Sequence, residues 1–205
     1  MTRPIEYIGG VLIRFTREFG SIGILFLKVL KRMFYPPFDL KIIFHQMIAV
    51  GIKSLPVVFI TAVFTGMVLA LQTYTGFKRF GAEAVVGTVV ALSMTREMGP
   101  VLTALIVAGR AGAAMAAELG TMRVTEQIDA LETLATDPVK YLVVPRFISG
   151  IVMLPSLAVL TNIVGILGGY LITAGLFGVS SANYWKRTWD FLEITDIYYG
   201  LIKAC

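Results

Sequence analysis

From Ile5 to Met33, apolar residues recur in alternating steps of three and four: Ile5, Ile8, Leu12, Phe15, Phe19, Ile22, Phe26, Val29 or Leu30, and Met33. That spacing draws one stripe along a helix. The opposite face carries Arg14, Arg17, Glu18, Ser21, Lys28, Lys31 and Arg32. A helix divided in this way, with a basic flank, is expected to lie in the headgroup layer. The other reading is a helix packed on the rest of the protein. Gly20 and Gly23 are possible breaks, and Tyr35-Pro36-Pro37 should end it, because proline lacks the N–H donor and disfavours helix in the residue before it. Phe38 to Lys53 reads as a mixed approach segment.

The pattern then changes from striped to continuously apolar. Residues 54–76 form a first span, with Pro56 near its start, where a missing donor is tolerated, and Gln72 to Thr75 polar at its far end. Residues 84–117 run for about 51 Å if wholly helical at 1.5 Å per residue. This exceeds the ~30 Å hydrocarbon core. One long helix kinked at Gly99-Pro100 is favoured over two half-length segments, and the span is placed at 84–120. Residues 147–178 carry no charge and form the third span, bent at Pro155. In it Gly165 and Gly169 offer the small-residue spacing by which membrane helices approach closely. Tyr184, Trp185 and Trp189 read as an interfacial belt within residues 179–196. The apolar turns from Ile197 read as the start of a fourth span in which the sequence stops early. No repeat or linker divides residues 1–205, which are expected to form a single domain.

Between the second and third spans the chemistry is different. Residues 124–136 form a short acidic amphipathic segment closed by Asp137-Pro138. Ile128, Leu131 and Leu134 share one face, with Glu126, Asp129 and Glu132 on much of the other. Thr125 is the expected cap, with Glu126 in the first turn, where the helix dipole favours an acid.

Composition narrows the class. The chain is 57% hydrophobic and only 15% charged, with mean hydropathy +0.79, whereas soluble domains carry about 25% charged residues. The fold class is therefore an all-α polytopic membrane protein. The net charge of +5 does not indicate nucleic acid. Its basic residues gather in the N-terminal segment (Arg3, Arg14, Arg17, Lys28, Lys31, Arg32 and Lys41), which places the N-terminus and the acidic segment on the cytoplasmic side. The lone Cys205 leaves no internal disulfide. The lone His45 reads as an interfacial residue, so a Ser–His or Cys–His catalytic pair is not expected. No phosphate loop, nucleophile elbow or HExxH metal motif occurs. No catalysis, cofactor or metal is expected of this chain.

The costly residues are Arg96, Glu97 and Arg110. A charge at membrane depth costs roughly 2.5–3.5 kcal/mol even by lenient insertion scales. Neighbours on a helix diverge by about 100°, so Arg96 and Glu97 cannot neutralise one another across one face. They either staple two helices or meet a charged headgroup or a dimer seam. After them Ala104, Ala108, Gly112, Ala116 and Gly120 form a ladder of small residues suited to close helix packing. Gln72 and Tyr74 are interfacial anchors or part of a ligand pocket.

Arg96-Glu97-Met98-Gly99-Pro100-Val101-Leu102-Thr103-Ala104, then Ala108-Gly109-Arg110-Ala111-Gly112 and Ala117-Glu118-Leu119-Gly120-Thr121-Met122, resemble the MlaE family, the permease subunits of ABC transporters associated with MCE proteins. Thr125 to Leu131, Asp137-Pro138, Val144-Pro145-Arg146, Gly66-Met67-Val68 and Leu71-Gln72 continue the likeness over nearly the whole chain. The resemblance implies a homodimer in a bacterial inner membrane, seated on two copies of a cytoplasmic ATP-binding subunit and under a periplasmic MCE hexamer, moving phospholipid between membranes. ATPase activity would then lie in the partner. The resemblance also implies a lipid cavity near Leu69, Gln72, Tyr74, Phe77 and Phe80, with Arg96 and Glu97 beside it. It makes residues 124–136 a coupling helix, with Glu126, Gln127, Ile128, Asp129, Leu131 and Glu132 facing the ATPase. Family members continue through further spans beyond the end of this sequence. Two other classes remain open: an ion- or proton-coupled carrier with Glu97 as relay, and a non-transporting scaffold for an MCE ring.

Overall fold

A computed structural model describes residues 3–36 and 39–204, and side chains from residue 9 onward. Pro37, Phe38 and Cys205, and the side chains of Ile5 and Ile8, lie outside the described residues. The described chain is helical throughout, without strands. Three helical runs are long and apolar enough to cross a membrane: Leu40–Lys78, Glu83–Val124 and Val139–Gly175.

Helix α1 (Arg3–Arg32) passes through Gly20 and Gly23 without the break that those glycines suggested. Leu12, Phe15, Phe19 and Ile22 are all exposed. The contacts with the body come from the last turns. There Val29 is buried, Phe26 sets its ring edge-on to Phe147 at 5.9 Å, and Arg32 reaches Asp137 at 2.6 Å. An apolar stripe that finds no cover within the described chain fits a helix lying in the headgroup layer.

Asp39 accepts the Lys41 N–H at 3.0 Å and starts α2 (Leu40–Val50). A single 3-10 turn, Ile52–Ser54, leads into α3 (Leu55–Lys78). The first run therefore begins at Leu40, not at residue 54. The approach segment is helical because Pro56 stands in the first turn of α3, where its missing N–H interrupts no ladder.

The second run holds α4 (Val86–Ser93), α5 (Gly99–Val107) and α6 (Ala113–Val124), joined by π turns at Met94–Met98 and Ala108–Gly112. It is one long helix, as the favoured reading holds. Pro100 cannot donate, and the π turn just before it absorbs the irregularity. The Gly99 N–H reaches back to the Met94 carbonyl.

Helix α7 (Gln127–Thr133) is shorter than the acidic segment. Thr125 does not cap it: its hydroxyl donates to the Thr121 carbonyl at 2.8 Å, which belongs to the end of α6. Glu126 is not in the first turn but precedes it, with left-handed backbone at φ 58°. Ala135 turns the chain again at φ 56°. The two left-handed residues set α7 apart from the runs on either side.

Helix α8 (Val144–Gly175) follows a π turn at Val139–Val143 and continues through Pro155. It packs most extensively on α3. The close approach that Gly165 suggested is made against Gly66. A Cβ on Gly66 would lie 1.8 Å from the Gly165 carbonyl oxygen, and one on Gly168 would lie 2.5 Å from that of Val63. A hydroxyl pair, Thr103 and Thr161 at 2.7 Å, joins α5 to α8. The core divides between Ala70, Tyr74, Val86, Val90 and Met94 at one level and Val50, Val107, Ala111 and Leu157 at another.

Beyond Gly175 come α9 (Ser181–Phe191) and α10 (Ile194–Ala204). Trp189 is exposed, but Tyr184 is not an interfacial anchor: it is buried and donates to the Ile166 carbonyl at 3.0 Å. Asp196, placed with the charges outside the core, is buried at 2% exposure. Both leave the surface because α9 folds back on α4 and α10 returns along α5 and α8.

Candidate functional site

Two places gather most of the candidate side chains. The first is a groove of about 290 Å³ on the outer side of α3, lined by Phe64, Thr65, Val68, Leu69, Gln72 and Met98. Helical periodicity places Leu69 and Gln72 on one face of α3, and the Met94–Met98 π turn brings Met98 against them. Phe77 is half-buried near the end of α3, and Phe80 is 83% exposed in the loop beyond it. Tyr74, expected beside the cavity, is turned the other way: it is buried, stacked on Phe177 with centroids 3.7 Å apart, and does not line the groove.

Arg96 and Glu97 stand in the same π turn as Met98, and each has its own partner on α10. Arg96 Nε donates to Asp196 Oδ1 at 2.6 Å, and Lys203 pairs with Glu97. Lys203 also donates to the Arg96 carbonyl at 3.2 Å. The divergence of neighbouring side chains on a helix is resolved by two ion pairs to a second helix. Arg96 and Glu97 keep about half of their surfaces open, at 55% and 62%, so the pairs tie down an edge that remains accessible.

The second place is α7. Glu126, Gln127, Asp129 and Glu132 are exposed, while Ile128 and Leu131 are half-covered. Asp129 accepts from Arg123 at 2.6 Å across the turn from α6. A helix of two turns is not stable alone, and this pair helps to hold it. Val124 at 84% and Leu134 at 74% exposure flank it.

The sequence marks Arg110 as costly without showing its partners, and gives no sign of the Arg146–Glu118 pair. Arg110 donates to Ser54 Oγ at 2.9 Å and to the Ala49 carbonyl at 2.6 Å, so backbone at the end of α2 holds that charge. Arg146, 7% exposed, pairs with Glu118 at 2.8 Å and ties α8 to α6. The small-residue ladder does not pack within the described chain. Gly112 and Gly120 have open space where a Cβ would stand, and Ala104, Ala108 and Gly112 line an apolar groove with Phe147 and Leu154. Residues one position removed, Thr103, Val107 and Ala111, make the internal contacts.

A sequence model of the family described as Permease MlaE matches residues 43–205, from α2 through both candidate sites. The chain belongs to the MlaE permease family. Similar proteins include a probable ABC transporter permease protein of Rickettsia felis, 48% identical over 96% of this chain and 76% of the relative. The intermembrane phospholipid transport system permease protein MlaE of Haemophilus influenzae is 39% identical over 98% of this chain and 77% of that protein. The chloroplastic protein TRIGALACTOSYLDIACYLGLYCEROL 1 of Arabidopsis thaliana is 40% identical over 73% of this chain and 44% of its own length. As a member of this family the chain is a multi-pass membrane permease of the ABC transporter class, and its three apolar runs are the corresponding physical feature.

Proposed function

We propose that this MlaE-family permease moves phospholipid between the inner and outer membranes, driven by ATP that a separate subunit hydrolyses. Residues 1–205 act as one membrane domain with the N-terminus in the cytoplasm of a bacterial inner-membrane protein. Two copies pair as a homodimer on two ATP-binding subunits and beneath an MCE hexamer. The observation that carries this reading is the exposed acidic α7, held between two membrane-length runs and flanked by uncovered Val124 and Leu134. The Haemophilus relative's phospholipid transport supports the choice of cargo.

In this reading an acyl chain enters the groove of Leu69 and Gln72, with Phe77 and Phe80 at its mouth. The half-open guanidinium of Arg96 and carboxylate of Glu97 meet the headgroup. Glu126, Gln127, Ile128, Asp129, Leu131 and Glu132 receive the ATPase. The rigid α3–α8 pair carries the displacement, since backbones in direct contact move as one body. Reversing Glu126 and Asp129 to lysine is expected to abolish lipid-stimulated ATP hydrolysis by the assembled transporter while leaving the permease folded. The cost to the permease itself is small, about 1 kcal/mol at most for an exposed Arg123–Asp129 pair. Retained coupling in the double variant would remove α7 from the mechanism. Transport that followed a proton gradient and ignored ATP would favour a Glu97 relay instead.

A further inference from the structure

The last turns of α1 and the segment after α7 enclose a cavity of about 500 Å³ lined by Lys28, Lys31, Arg32, Tyr35, Asp137 and Val139. Lys28, Lys31 and Arg32 stand three and four residues apart and so share one helix face. The cavity holds three cations and one carboxylate. Asp137 is already committed twice: its Oδ1 accepts the Val139 N–H at 3.0 Å and its Oδ2 meets Arg32 at 2.6 Å. Lys28 and Lys31 have no carboxylate partner among the described residues. On the far side of Asp137 a neighbouring cavity carries Lys41 and Lys140 against Asp39, so the surroundings stay positive as well.

We infer that this cavity is a binding site for the phosphate of an anionic phospholipid from the leaflet in which α1 lies, separate from the groove on α3. The inference rests on the placement of α1 in the headgroup layer and deepens the proposed function, because the site touches the joint between α7 and α8. The apolar stripe of α1 sets the depth, leaving its basic face at the level of lipid phosphates. Two lysines donate to a single phosphate as point charges, with Tyr35 lining the same cavity. Arg32 is shared: a headgroup in the cavity competes with Asp137 for it. Lipid occupancy would therefore loosen or reset the Arg32–Asp137 pair, which ties α1 to the chain between the acidic helix and the third run. A bilayer rich in anionic lipid would in this way tune how α7 is presented to its partner.

The test uses the full-length permease in its assembled complex, in detergent and without ATP, with lipid binding read by native mass spectrometry. Phosphatidylglycerol should bind more tightly than phosphatidylcholine. K28Q/K31Q should weaken phosphatidylglycerol roughly thirtyfold, since each basic residue near a headgroup contributes about fivefold. R14Q/R17Q removes as many charges from the same helix outside the cavity; in detergent, where no bilayer surface adds a general attraction, it should leave binding within about threefold. Asp137→Asn removes the competing carboxylate and should tighten binding, an outcome that a damaged fold does not produce. Equal losses in the two double variants, unchanged binding in K28Q/K31Q, or weaker binding in Asp137→Asn would each overturn the site. Inorganic phosphate that displaced phosphatidylglycerol at comparable concentration would assign the cavity to a soluble anion and overturn the lipid assignment. None of these readouts needs transport, so they stand apart from failure of the coupling mechanism.

Discussion

Gly66 is the position where the structure makes its sharpest demand. A methyl group added there lands 1.8 Å from the Gly165 carbonyl oxygen and 2.6 Å from its carbon, both backbone atoms on the facing helix. Ordinary contact begins near 3.4 Å, so Gly66→Ala requires α3 and α8 to part by about 1.6 Å. Overfilling a packed interface typically costs about 1–3 kcal/mol. Replacing a helical glycine by alanine returns about 0.5–1 kcal/mol where space allows. Gly76, on the same helix, has nothing within 4 Å of its added methyl and supplies the reference. Gly165→Ala lies between the two, because the atom it meets first is the flexible end of Met94 at 2.1 Å. Unfolding in a denaturing-detergent titration, followed by the fluorescence of Trp185 and Trp189, should rank the variants G66A, G165A, G76A from least to most stable. The difference between G66A and G76A should be about 1–3 kcal/mol, because the helical gain is common to both and cancels. A G66A variant within about 0.5 kcal/mol of G76A, the usual error of additivity, would refute the direct backbone contact.

Other expectations follow from the same contacts. Arg96→Gln leaves the buried Asp196 carboxylate without its guanidinium, whereas Asp196→Asn leaves Arg96 able to reach water. The first should therefore cost more, about 2–3 kcal/mol once the open side of Arg96 is discounted against the 3–5 typical of fully buried pairs, and equal costs in the same titration would contradict the geometry. Burial pushes the Tyr184 phenol well above its ordinary value. The unfolded chain therefore loses that proton from about pH 10 while the folded chain keeps it, and stability falls as pH rises above 10, by up to about 1.4 kcal/mol per pH unit. Tyr184→Phe should flatten that fall and cost about 1 kcal/mol at neutral pH through the lost bond to Ile166. An unchanged alkaline profile in the variant would count against a protonated, buried Tyr184.

What the sequence made legible was what periodicity and composition carry: the surface stripe of α1, three apolar runs, the change of chemistry at Val124. The long second run could be anticipated because its apolar pattern does not lapse at Gly99-Pro100. What stayed hidden depends on three-dimensional neighbours. Asp196 and Tyr184 look interfacial in a stretch rich in tryptophan and charge, and only the return of α9 and α10 against α4 and α5 buries them. The partner of Gly165 could not be chosen from spacing alone, since Gly66 lies about a hundred residues away. Tyr74 shares its polar neighbourhood with Gln72, yet two residues on a helix diverge by roughly 200°, which puts one in the groove and the other in the core. The left-handed Glu126 was beyond reach for a different reason: a non-glycine residue at positive φ is held by its surroundings and carries no sequence signal. The ladder from Ala104 to Gly120 suggested close packing, but among the described residues Gly112 and Gly120 face open space.

The most direct test of the account is the sidedness of α7. In a Cys205→Ser background expressed without the ATP-binding subunit, which would otherwise cover this face, Leu131→Cys in intact spheroplasts should resist a membrane-impermeant maleimide and react once the membrane is permeabilised. A cysteine at Phe80, in the loop at the opposite end of α3, should react from outside in both conditions. Labelling of residue 131 from the outside, or no labelling after permeabilisation, would separate the acidic helix from any cytoplasmic ATPase and contradict the mechanism.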